Sequence, residues 1–143
     1  MKANPLIVQC NLHAPEETIW KALTENDQMK KWYFDIQDFK AIAGFKFNFT
    51  AGSDQKKYVH LCKVTDVIPG KKLAYTWKYK DYPGNSLVTF ELSPEGDSTQ
   101  IKVTHEGLET FPGTGDFSID SFKKGWTQIL CSNLKNYVEN KSK

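Results

Sequence analysis

A chain of 143 residues with 39% hydrophobic and 13% aromatic content has enough apolar material for a packed core, which excludes disorder and predicts one domain over residues 1–143. Net charge is +2 from 19 basic and 17 acidic residues, and every basic residue is a lysine; without arginine, the forked reader of phosphate and guanine, nucleic acid is not an expected partner. No segment reads as a signal peptide or membrane span, and Cys10, Cys62 and Cys131 are odd in number, far apart and outside any CxxC, so the expectation is a cytoplasmic monomer with three free thiols, no metal and no cofactor.

Leu6, Val8, Cys10 and Leu12 recur at period two and predict a first strand over residues 5–12. Pro15 followed by Glu16 and Glu17 marks a helix start, with Ile19, Trp20 and Leu23 on one side. A second short helix over about residues 26–33 begins at Asn26 or Asp27 and buries Met29 and Trp32. From residue 35 the period becomes two. Residues 35–42 predict a weak strand. Residues 44–50 predict a strong one, in which Phe45, Phe47 and Phe49 alternate with Lys46, Asn48 and Thr50.

The next strand, residues 57–68, carries Tyr58, His60, Cys62 and Val64 on one face. After the Pro69-Gly70 turn, residues 72–80 set Leu73, Tyr75, Trp77 and Tyr79 against Ala74, Thr76, Lys78 and Lys80. Residues 86–92 direct Val88, Phe90 and Leu92 inward, and residues 99–106 direct Ile101, Val103 and His105 the same way. A glycine-rich loop over residues 107–116 reads as a gate. It leads into a long helix, 117–139, capped by Asp116 or Ser118. Ile119, Phe122, Trp126, Ile129, Leu130, Leu134 and Tyr137 follow there in steps of mostly three or four.

The order is therefore strand, two helices, six strands, long helix. Short connections make the strands antiparallel neighbours. The fold class is α+β: a seven-stranded antiparallel curved sheet wrapped around the C-terminal helix, with two short helices between strands 1 and 2. A curved sheet around one helix commonly leaves a cavity between them.

Four segments, PEETIWKALTENDQMKKW, VTDVIPGKKLAYTW, SLVTFELSPEGDSTQIKVTHEGL and GWTQILCSNLKNYVE, resemble the activator of heat-shock protein 90 ATPase homologue-like family. The resemblance runs over nearly the whole chain. It implies the helix-grip fold of the START-like, or SRPBCC, superfamily. Function is less constrained, since that superfamily includes lipid and hormone binders, polyketide cyclases and aromatases, a toxin-sequestering protein and co-chaperone domains. The chain departs from the family pattern at Cys62, where glycine is frequent. A side chain there narrows any pocket it faces. The eukaryotic co-chaperone also carries a separate N-terminal domain, for which 143 residues leave no room.

His60 and His105 fall on inward faces, either as hydrogen-bonded histidines of the core or as ligand-orienting groups. No GxSxG, HExxH or paired-carboxylate pattern appears, so no catalytic residue is assigned. The candidate cavity residues are Phe47, Phe49, Tyr58, His60, Cys62, Tyr75, Trp77, Val88, Phe90, His105, Phe122, Trp126, Ile129 and Leu130. The expected function is binding of a small hydrophobic or aromatic molecule. A cyclase-like enzyme using the same pocket and a co-chaperone-like interaction domain are the alternatives.

Overall fold

The computed structural model describes residues 5–33, 36, 39–52, 57–111 and 118–141. Strand β1 (Leu6–Leu12) is followed by helices α1 (Glu16–Thr24) and α2 (Asn26–Trp32). Five strands come next: β2 (Lys46–Gly52), β3 (Lys57–Ile68), β4 (Lys72–Tyr79), β5 (Ser86–Glu95) and β6 (Ser98–Glu106). All neighbours are antiparallel, in the order β1-β6-β5-β4-β3-β2. The first strand in the chain thus closes onto the last, with Val8 opposite Val103.

Among the described residues the sheet has six strands rather than seven. Ile36 and residues 39–42 form no strand, while the rest of the expected 35–42 strand lies outside the described residues. The reason is local. Phe39 N–H donates to Asn26 Oδ1 at 2.6 Å and its carbonyl accepts from Asn26 Nδ2 at 3.4 Å. A side chain at the start of α2 thus takes the backbone groups a sheet ladder would have used. Ile36 and Phe39 still reach the core, at 1% and 4% exposure, from an irregular segment.

The C-terminal helix runs through α3 (Ile119–Gln128), a π-helical stretch (Ile129–Leu134) and α4 (Lys135–Lys141). Ser118 caps it, its hydroxyl accepting from Ser121 N–H at 3.2 Å. Asp116, the other expected cap, lies outside the described residues. The buried stripe is Phe122, Trp126, Leu130, Leu134 and Val138, a strict step of four. At 3.6 residues per turn, four such steps drift by about 160° around a straight α-helix. The wider π turn takes up much of that drift and keeps the stripe on the sheet. Val138 therefore takes the place expected for Tyr137, which is only partly buried, and Ile119 is exposed.

A second correction concerns the thiols. Cys10 on β1 and Cys131 in the π-helical stretch are joined by a disulfide, with Cα atoms 5.7 Å apart. Residues 121 positions apart meet because the helix crosses the inward side of β1. Sequence spacing carries no sign of that. Only Cys62 is a free thiol among the described residues. Disulfides are rare in a reducing cytoplasm, so cysteine usage no longer argues for that compartment. No helix among the described residues is long and apolar enough to cross a membrane.

Candidate functional site

The inward phase of each strand places the aromatic residues. On β2, Phe47 and Phe49 alternate with exposed Lys46 and Asn48. On β3, Tyr58, His60 and Cys62 are buried, and on β4, Tyr75 and Trp77. Val88 and Phe90 of β5 and His105 of β6 continue the same surface, because register sets Val88 opposite both Tyr75 and His105. Phe122, Trp126 and Leu130 face it from the helix, all buried. Ile129 is only partly buried, at the edge.

Trp77 is the junction. Its ring centroid lies 5.5 Å from Trp126, 5.6 Å from Phe49 and 4.9 Å from His60. Phe49 stacks on His60 at 4.4 Å with 12° between the planes. Tyr58 lies further out, against Tyr79 and Tyr82 at 5.7 and 5.4 Å. The expected residues therefore form one aromatic surface, with Tyr58 and Ile129 at its margins.

Polar groups within this surface are ordered. Trp126 Nε1–H donates to His105 Nδ1 at 3.0 Å. An indole can only donate, so His105 carries its proton on Nε2. That nitrogen lies 2.8 Å from Ser86 Oγ, which donates in turn to the Trp77 carbonyl at 2.6 Å. The chain Trp126–His105–Ser86–Trp77 ties helix, β6, β5 and β4 together, and burial pushes the His105 pKa down to about 3. His60 is likewise held neutral, its pKa lowered by burial to about 4, with Nδ1–H donating to the Tyr58 carbonyl at 3.1 Å. Burial pushes the Cys62 thiol up, so it stays a thiol.

A further pair was not anticipated. Tyr33, just after α2, places its hydroxyl 2.6 Å from that of Tyr75. Tyr33 also stacks on Trp32 at 4.9 Å and lies 6.3 Å from Phe49. Burial raises the pKa of both phenols well above the ordinary value, so both keep their protons at neutral pH. Ser86 had a readable signal: it shares the inward phase of Val88 and Phe90 and starts the strand beside His105. Tyr33 had none, because it follows a helix end and its neighbour in space is 42 residues away.

The approach from β6 to the helix is fixed at its beginning. A 3₁₀ turn, Leu108–Thr110, brings Phe111 over Gly84. Gly84 has φ +111°, and a Cβ there would collide with the Phe111 ring. The Gly113-Thr114-Gly115 part of the expected gate lies outside the described residues.

A family profile described as Activator of Hsp90 ATPase homolog 1-like protein matches residues 13–139. Comparison with curated proteins found no significant match. Among solved structures, protein MLL2253 from Mesorhizobium loti is 27% identical with a TM-score of 0.78, over 95% of this chain and 97% of that one. DynU16, a protein of the dynemicin biosynthetic locus, is 19% identical with a TM-score of 0.79, over 97% of this chain and 48% of that one. The Aha1 dimer from Colwellia psychrerythraea is 24% identical with a TM-score of 0.70, over 96% and 97%. The last two likenesses concern fold, which matches the helix-grip arrangement of sheet and C-terminal helix.

Proposed function

This chain belongs to the Activator of Hsp90 ATPase homolog 1-like family, and from that premise we propose that it binds a small hydrophobic or aromatic molecule between the C-terminal helix and the inward face of β2–β5, without transforming it. The observation that carries this reading is the Tyr33–Tyr75 hydroxyl pair, set among Phe47, Phe49, Phe90 and Trp77. Aromatic rings supply contact area, and a ligand carbonyl or hydroxyl can take the place of one partner in the pair.

The same groups argue for binding over a cyclase-like reaction. Proton transfer near neutral pH needs a group that titrates there. Both inward imidazoles are held neutral, both nitrogens of His105 are engaged, and the phenols are held protonated. These are hydrogen-bond donors and packing surfaces more than acids and bases. The co-chaperone-like reading would draw support from a large apolar surface patch. Among the described residues, the exposed large apolar ones are Ile7, Ile42, Ile68 and Ile119, which come from four different parts of the sequence.

The test compares Tyr33→Phe and Tyr75→Phe with the parent chain, using flat aromatic ketones and their parent hydrocarbons. A lost neutral hydrogen bond is worth about 0.5–1.5 kcal/mol, so each variant should bind ketones roughly 2- to 12-fold more weakly. Hydrocarbon affinity should hold. Equal losses for both ligand types would remove the phenol pair from the site.

A further inference from the structure

The outward face of the sheet carries lysines in two different settings. Lys102 stands opposite Glu91 in register and pairs with it at 3.7 Å, and Lys72 pairs with Asp66 at 3.1 Å. On β2, β3 and β4 the pattern is different. Lys46 stands directly opposite Lys63, and Lys78 stands opposite Leu61, diagonal to Lys63. None of these three forms an ion pair among the described residues. Like charges directly opposite on neighbouring strands destabilise a sheet. The arrangement is therefore costly to the fold unless something negative lies over it.

The β3–β4 irregularity lies further along, between Val64 and Asp66, and a single register holds from His60↔Tyr79 and Leu61↔Lys78 to Val64↔Tyr75. Between them, Lys63 N–H donates to the Thr76 hydroxyl at 3.0 Å. A groove of about 440 Å³ lies there, lined by the three lysines together with Asn48, Leu61, Thr76 and Asn85, and by Phe47 and Cys62.

We propose that this groove is an anion site for a small molecule carrying a dianionic group, a phosphate monoester. Neighbouring strands are about 4.8 Å apart, so ammonium groups on long stems from three strands can converge on one such group. Lysines act as point charges, which suits a compact dianion better than a planar carboxylate. Asn48, Thr76 and Asn85 add neutral hydrogen-bonding groups, while Leu61 and the lysine stems offer an apolar floor to an organic body. Three strands span only about 10 Å, a small footprint for a nucleic-acid duplex. Lys46, Asn48, Leu61, Lys63, Thr76 and Lys78 share the outward phase of their strands, while Phe47 and Cys62 belong also to the inward aromatic surface.

The experiment titrates isotope-labelled chain with inorganic phosphate, phenyl phosphate and a short DNA duplex, each against chloride at equal ionic strength. Saturable shifts are expected at Asn48, Leu61, Lys63 and Lys78 with both phosphates, tighter for phenyl phosphate, while Lys102 stays still. The double variant Lys46→Gln/Lys63→Gln should bind roughly tenfold more weakly. It should also melt higher than the parent when phosphate is absent, which a merely inert surface would not show. Lys102→Gln should match the parent in both readouts. Shifts reproduced by chloride, unchanged binding in the double variant, or tighter binding of the duplex than of phenyl phosphate would each overturn the proposal.

Discussion

His105 is fully buried and polar, and three neighbours make that tolerable. Trp126 supplies a donor to one nitrogen, Ser86 an acceptor to the other, and the Trp77 carbonyl accepts the hydrogen bond of the serine hydroxyl. Such a chain admits only a neutral ring; His60 is kept neutral by burial, which outweighs the pull of the Tyr58 carbonyl towards the charged form. The unfolded chain binds protons on both histidines below about pH 6.5, whereas the folded chain resists until about pH 4 for His60 and about pH 3 for His105. Stability is therefore fully present above pH 6.5 and is lost as pH falls through that window. Each ring contributes a slope approaching about 1.4 kcal/mol per pH unit. Denaturant melts from pH 7 to pH 4 should show this fall, and His105→Gln should flatten it by about half. An unchanged slope in that variant would mean His105 is not held neutral. At this scale period-two alternation made most of the site legible, because Val88, Phe90 and His105 need only the correct phase. Tyr33 was not legible, since nothing near it in the chain points to Tyr75.

Two elements carry what the pattern of residues left out. The stripe Phe122, Trp126, Leu130, Leu134 and Val138 is visible in the sequence as steps of four. The π-helical turn that keeps it on one face comes from packing against the sheet, so the expected face drifted to Tyr137 instead of Val138. Residues 35–42 carry a weak alternating pattern, and at Phe39 the Asn26 side chain takes the backbone groups a ladder would need. The Cys10–Cys131 bridge likewise depends on how the helix crosses β1. Closing a loop over 121 residues should stabilise the chain by roughly 4–5 kcal/mol on a chain-entropy account. Cys131→Ser should lower the unfolding free energy by a comparable amount, and reductant should do the same to the parent chain. Thiol titration of unfolded chain without reductant should find one free group, Cys62. Three free groups would remove the bridge and restore the expectation drawn from spacing.

Among the described residues the molecule is a six-stranded curved sheet with β1 and β2 at its edges and β1 paired to β6, and the C-terminal helix is held against its aromatic face. Sheet and helix were legible because alternation and four-residue steps both arise from burying one side of an element. The proposed ligand was not, since aromatic residues suited to core packing are equally suited to ligand contact. Val88 separates the two uses. It is fully buried between Tyr75 and His105 in register, at the centre of the inward face. Val88→Trp should cost about 1–3 kcal/mol by overpacking, leave the fold in place, and weaken ligand binding. The most direct measurement is an NMR titration of the parent chain with flat aromatic and fatty compounds. Binding between helix and sheet predicts saturable shifts that move Phe47, Trp77, Phe90 and Trp126 together, leave Lys102 still, and weaken in Val88→Trp. No binding by any compound, or shifts confined to outward residues, would contradict it.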